Sequence, residues 1–273
     1  MKRLIAALFL PAALVLATAC GGGGGSATTP TASATPTAAA PASPTSLPPS
    51  PVLTAPPIVV TPAPTPSVPA NPCVAPTSGP IPPAAQGVST APGDFNGDGK
   101  TDQLATYLLL ATGRWHIRIG LAGGYALDQE IAGSNSATPA IAIGGYDVDG
   151  DGSDEAFVTV GSGAATRNVG LYDFDKAACT LDRVLSPNGQ PAVFPVGMTV
   201  GQLSGLECVV SGPTRGLVRT SGGSSDGNLY HGQSEFLSLA GHQLISVTTE
   251  ASDFQGPTVT AAASFTCDGL TLP

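Results

Sequence analysis

Two stretches decide the reading of this chain: Gly93-Asp94-Phe95-Asn96-Gly97-Asp98-Gly99-Lys100-Thr101-Asp102 and Tyr146-Asp147-Val148-Asp149-Gly150-Asp151-Gly152-Ser153-Asp154-Glu155. They align without a gap, and their first aspartates are 53 residues apart. Repeat periods of roughly 20–50 residues mark arrays or propeller blades. A worn third copy begins near Gly201-Gln202-Leu203-Ser204-Gly205-Leu206-Glu207, without the aspartates. Between the acidic stretches lie short apolar or alternating runs separated by Gly, Asn or Ser. They cover 103–110, 115–121, 126–131 and 140–144, then 155–160, 169–173, 181–185 and 192–196. Residues 206–211, 216–220, 233–239 and 243–249 complete a third set. His116-Ile117-Arg118-Ile119 alternates polar with apolar, the pattern of a half-buried strand. No window beyond residue 84 sustains a helical period. The expectation is an all-β domain of antiparallel four-stranded units, arranged as a partial or small β-propeller-like body.

The acidic stretches have the chemistry of calcium loops. A hard cation takes six to eight oxygens at about 2.3–2.6 Å, and aspartates at alternating positions of a tight loop point into its concave side. The first loop offers Asp94, Asn96, Asp98, the Lys100 carbonyl and Asp102. The second offers Asp147, Asp149, Asp151, the Ser153 carbonyl and Glu155. Gly99 and Gly152 fall where such a loop turns sharply. An EF-hand is excluded, because its closing carboxylate at position twelve is replaced by Ala105 in one loop and Val158 in the other. The expected cofactor is therefore calcium at two sites. The second loop, with five acids and no base against three acids and Lys100, is expected to hold it more tightly.

Asp-x-Asp-x-Asp-Gly-x-x-Asp running into a strand resembles the FG-GAP or VCBS repeats of integrin-α-like β-propellers, over the two loops and the strands around them. The Phe-Gly and Gly-Ala-Pro signatures that name the family are not present. The resemblance implies loops that join the strands of a hairpin, each with one calcium. It implies Asp94, Asn96, Asp98 and Asp102 as ligands of one ion, and Asp147, Asp149, Asp151 and Glu155 of the other, Glu155 standing where the family has Asp. Three units fall short of the four blades from which propellers usually close. A partial propeller, a sheet assembly pinned by disulfides, and a ring with a fourth blade hidden in the sequence all remain open.

Of 273 residues, 35 are Gly and 27 Pro, and the formal charge is −9. That charge argues against nucleic acid, which needs a basic footprint. Eight of the 19 acids sit in the two loops, so the acidity is local. Residues 1–19 read as a secretory signal: Lys2 and Arg3, an apolar run over 4–16, then Ala17-Thr18-Ala19 before Cys20. This is similar to a bacterial lipoprotein signal, with Ala17 where Leu is usual. It implies a lipidated, palmitate-bearing Cys20, export, and anchorage at the cell envelope through the membrane. An ordinary secretory signal with a coincidental cysteine is the plain alternative. Residues 20–83, rich in Gly, Ala, Thr, Ser and Pro, read as a disordered linker of polyproline II character that can span on the order of 150 Å. The β-repeat domain is then 84–273. Four further cysteines suggest two disulfides in an exported chain, with three connectivities possible. Cys179–Cys208 and Cys73–Cys267 are the favoured pairs, the first being close in sequence and the second tying the two ends of the domain.

No G-x-S-x-G, P-loop or H-E-x-x-H pattern occurs, so no catalytic residue is assigned. His116, His231 and His242 lack metal spacing, and nothing singles out Asp226, Glu235, Glu250 or Asp253 as a glycosidase pair. The functional expectation is a surface binding or adhesion module for a protein or glycan. The alternative is an envelope protein in which calcium only holds the fold. An exposed group drawn from Trp115, Tyr107, Tyr125 and Tyr230 favours the first.

Overall fold

The computed structural model describes Cys73, residues 78–212 and residues 214–273. The signal segment, Cys20 and most of the linker lie outside the described residues. The first unit is a four-stranded antiparallel sheet made of β1 (Gln86–Gly93), β2 (Asp102–Leu109), β3 (Arg114–Gly120) and β4 (Ala126–Glu130), in that order. The alternation in β3 does what the sequence suggests: Trp115, Ile117 and Ile119 are buried, while His116 and Arg118 line the opposite face. Ser78 donates to the Ala126 carbonyl along the outer side of β4.

The second unit repeats the plan with β5 (Ile141–Tyr146), β6 (Glu155–Ser162), β7 (Thr166–Asp175) and β8 (Thr180–Arg183). The third is a longer meander of β9 (Val193–Met198), β10 (Gln202–Ser211), β11 (Thr214–Gly223), β12 (Leu229–Ala240) and β13 (Gln243–Gln255), followed by a short helix, α1 (Pro257–Ala262), and β14 (Phe265–Thr266). Each run read from the sequence falls on one of the strands β2 to β13.

The units are not separate blades. The second half of β7 pairs with β8, and its first half pairs with β9. This fuses the second and third units into one ten-stranded sheet. The close approach needs a glycine: at Gly197 (φ +129°) a Cβ would stand 2.2 Å from the Ala165 carbonyl oxygen. The sheets form no closed barrel. The worn third copy is also corrected. Residues 202–207 lie within β10, and the β9–β10 connection is a tight turn in which Thr199 donates to the Gln202 carbonyl. With no loop to build, nothing there requires aspartates.

β6 is buried on both faces. Ala156 and Val158 join a core with Leu104, Trp115, Ile117 and Ile119 of the first sheet. Phe157 joins a second core with Leu171, Phe194, Leu206, Leu217 and Leu237. Each fully buried Val, Leu, Ile or Phe among these contributes about 1.5–3 kcal/mol. α1 covers the far end, where Val259 meets Leu203 and Tyr230.

The cysteines pair as Cys73–Cys179 and Cys208–Cys267, not as expected from the sequence. Cys179, in the β7–β8 turn, packs with Cys73 against the first core. Cys208 on β10 packs with Cys267 against the second, where β14 runs parallel to β10. Cys179 and Cys208 are near in sequence but belong to different layers. Cys73, within the stretch read as linker, is buried in the folded body.

Candidate metal centre

Residues 94–101 join β1 to β2, and residues 147–154 join β5 to β6, so both acidic stretches are hairpin connections. They share one construction. Gly97 and Gly99 have positive φ, as do their counterparts Gly150 and Gly152, which lets the chain coil tightly enough for alternate side chains to converge. The residue after the first aspartate, Phe95 or Val148, is fully buried and anchors the loop in a core. The ninth-position acid closes the loop behind that anchor. Asp102 Oδ2 accepts the Phe95 N–H at 3.0 Å, and Glu155 Oε2 accepts the Val148 N–H at 2.7 Å.

The second loop gathers its acids. Ligand oxygens of Asp147, Asp149 and Asp151 lie within 4.8 Å of one another, the one such group among the described residues. Oxygens on a common calcium, each about 2.3–2.6 Å from the ion, can be at most about 5 Å apart. Each of these carboxylates gives one oxygen to the loop backbone: Asp147 Oδ1 accepts from Gly150 N at 2.6 Å, Asp149 Oδ1 from Asp151 N at 3.0 Å, and Asp151 Oδ1 from Ser153 N at 2.7 Å. The other oxygens are not used by the loop backbone, and those of Asp147 and Asp151 face side-chain cations. Burial, with Asp151 and Asp147 nearby, pushes the Asp149 carboxyl above its ordinary range. Glu155, 2% exposed, is pushed to about 9 by burial and by Asp149, Asp173 and Asp147. Negative charge is crowded here beyond what the backbone N–H groups offset.

Three further residues belong to this centre and were missed from sequence. Asp173 on β7 stands opposite Glu155, one step beyond the Ala156–Tyr172 pair. Burial raises its pKa, and His242 Nδ1 lies 2.8 Å from its Oδ2. Lys176 Nζ is 3.4 Å from Asp151 Oδ2 and 2.9 Å from Ser153 Oγ. Arg215 Nη1 is 3.0 Å from both Asp147 Oδ2 and the Asp147 carbonyl oxygen. The count of no base for this loop holds for the sequence segment alone. The fold brings two cations to it, Lys176 and Arg215.

In the first loop the oxygens are taken up by backbone N–H groups and Lys100. Asp94 Oδ1 accepts from Asp98 N at 3.1 Å and Oδ2 from Gly99 N at 2.8 Å. Asn96 Oδ1 also accepts from Asp98 N at 3.1 Å. Asp98 Oδ1 accepts from Lys100 N at 2.9 Å, and its Oδ2 is 3.3 Å from Lys100 Nζ. Asp102 Oδ1 accepts from Ala122 N at 2.7 Å. The Asn96 amide nitrogen is buried without a hydrogen-bond partner. The two loops touch: Asp94 N donates to Asp154 Oδ2 at 2.7 Å, and Asp154 N donates to the Asp94 carbonyl at 2.8 Å. Asp154, counted with the second loop's acids, is thus turned to the first.

The aromatic residues offered for a binding platform are core residues. Trp115, Tyr107, Tyr125 and Tyr230 are all at most 7% exposed. Tyr107 donates to Asp128, which also meets His116 Nδ1 at 2.8 Å. His231 pairs with Asp253 on an exposed sheet face. Of the acids considered for glycoside chemistry, Glu235 pairs with Arg219, and Asp226 caps the turn before β12. Comparison with known protein families, curated proteins and solved structures finds no match for this chain.

Proposed function

We propose that this chain is an exported, lipid-anchored surface module of the FG-GAP/VCBS type, whose β-rich body is held in its binding-competent form by calcium. The observation that carries this reading is the second loop, where Asp147, Asp149 and Asp151 converge within the reach of one ion. Its donor set is all hard oxygen, which suits calcium over softer-ligand metals. Asp147, Asp149, Asp151 and the Ser153 carbonyl hold the ion, with Glu155 closing the loop behind them. When bound, calcium supplies the positive charge that lets these carboxylates stay ionised together. The matched first loop, with Asp94, Asn96, Asp98, the Lys100 carbonyl and Asp102, holds the second ion more weakly. Asp94 and Asp102 there give both carboxylate oxygens to backbone N–H groups, whereas each aspartate of the second loop gives only one. Two disulfides accord with an oxidising, exported setting.

The partner in this reading is a protein met by the exposed loops and sheet edges. A second reading, in which calcium only staples an envelope protein, is favoured by one observation. The aromatic side chains that a glycan platform would use are buried. Thermal unfolding with and without chelator, run beside pull-down from envelope extracts, tests both. A calcium-dependent partner supports the module, whereas calcium-dependent stability without a partner leaves the staple. Indifference to chelator in both assays removes calcium from the account.

A further inference from the structure

We infer that Arg215 is a tethered cation that competes with calcium for Asp147, coupling the third unit's hairpin to the second loop; this rests on the calcium reading above. Asp147 has two carboxylate oxygens. Oδ1 accepts the Gly150 N–H at 2.6 Å, so Oδ2 is the one left for a metal. That oxygen is where the Arg215 guanidinium sits, at 3.0 Å, and the same Nη1 also bonds the Asp147 carbonyl at 3.0 Å. The Arg215 stem lies over the loop: its Cδ is 3.4 Å from where a Cβ on Gly150 would be. Glycine at that position leaves room for it.

Arg215 does not belong to the loop's own unit. It opens β11, just past the β10–β11 turn, and is 68 residues from Asp147. A divalent ion on Asp147 Oδ2 stands within a few ångströms of the guanidinium, where like charges repel strongly. Calcium and Arg215 therefore cannot both keep this oxygen. Ion binding expels the guanidinium and loosens the hairpin, and by linkage anything that removes Arg215 strengthens ion binding by the same factor. Lys176 acts similarly on Asp151 Oδ2, but from within the same unit.

The test is calorimetric titration of calcium into the full chain at low ionic strength, comparing wild type, R215Q and R167Q. Arg167 lies at the opposite end of β7 and bonds only the neighbouring Thr166 carbonyl among the described residues, so R167Q controls for loss of one positive charge. Partly exposed pairs such as this are weak, so R215Q is expected to bind about two- to fivefold more tightly, with R167Q unchanged. Amide exchange of residues 214–218 is expected to quicken when calcium is added to wild type and to be insensitive to it in R215Q. Wild-type binding with R215Q equal or weaker overturns the competition and leaves the calcium reading standing. Silence from wild type and R215Q alike removes both.

Discussion

Replacing Glu155 by Gln is expected to stabilise the fold in the absence of calcium and to remove most of the stabilisation that calcium gives. The amide keeps the shape of the side chain and an oxygen for the Val148 N–H, and removes only the ability to ionise. In the ion-free fold the carboxyl is pushed from 4.5 to about 9, chiefly by burial. A folded-state pKa raised in this way gives stability that is fully present below pH 4.5 and is lost as pH rises towards 9. At pH 7 the fold must bind a proton that the unfolded chain does not hold. At 1.36 kcal/mol per unit, that costs about 3 kcal/mol over the interval from 4.5 to 7. Glutamine avoids this cost. In chelator, E155Q is expected to melt higher than wild type by about 6–12 °C, since each kcal/mol shifts a domain of this size by roughly 2–4 °C. With saturating calcium, an ion that offsets the ionised Glu155 is expected to raise the stability of wild type and to raise that of E155Q little. Scanning calorimetry of both chains in both buffers reads all four values. An E155Q chain that melts lower than wild type in chelator refutes the reasoning, because Glu155 would then be a satisfied structural group that needs no cation.

Three further outcomes follow from the geometry. Gly97 and Gly99 both have positive φ, but a Cβ on Gly97 would stand 2.9 Å from the Gly152 carbonyl oxygen and Ser153 Oγ, whereas Gly99 faces open space. In thermal melts, Gly99→Ala should cost about 1 kcal/mol from backbone strain alone and Gly97→Ala at least about 2 kcal/mol, since it wedges the two loops apart. Peptide mapping without reductant should recover Cys73 linked to Cys179 and Cys208 to Cys267. Removing the first pair as C73S/C179S should cost about 2–4 kcal/mol in denaturant unfolding. Phe95→Ala, which empties a fully buried anchor, should cost about 3–5 kcal/mol and weaken any calcium uptake by the first loop, read by urea titration and by calorimetry.

Much of the strand plan was legible because it rests on local signals: period-two alternation and glycine-bearing turns. Strand β1 was missed because Gln86–Gly93 carries a single large apolar residue, Val88, which is exposed, and a proline near its end. It is a strand because β2 pairs with it, not because of its own pattern. The helix α1 is only six residues long, too short to show a helical period. The loops' alternating acids were legible, and so was the hairpin placement that the family resemblance implied. The surroundings of the second loop were not. Asp173 is placed by β6–β7 register, Lys176 by the β7–β8 turn, and Arg215 by a hairpin of another unit, and none of these relations is local in sequence. The cysteine pairing failed for the same reason. Nearness along the chain says little when β6 separates two cores and each disulfide belongs to one of them.

Calcium titration by calorimetry of wild type, Asp151→Ala and Asp98→Ala decides whether these loops take up calcium. Wild type is expected to take up calcium with dissociation constants of about 10⁻⁴–10⁻³ M, the range of extracellular calcium modules. The tighter site is expected to be lost in Asp151→Ala and to survive in Asp98→Ala. No heat at millimolar calcium, or a tighter site untouched by Asp151→Ala, contradicts the calcium reading.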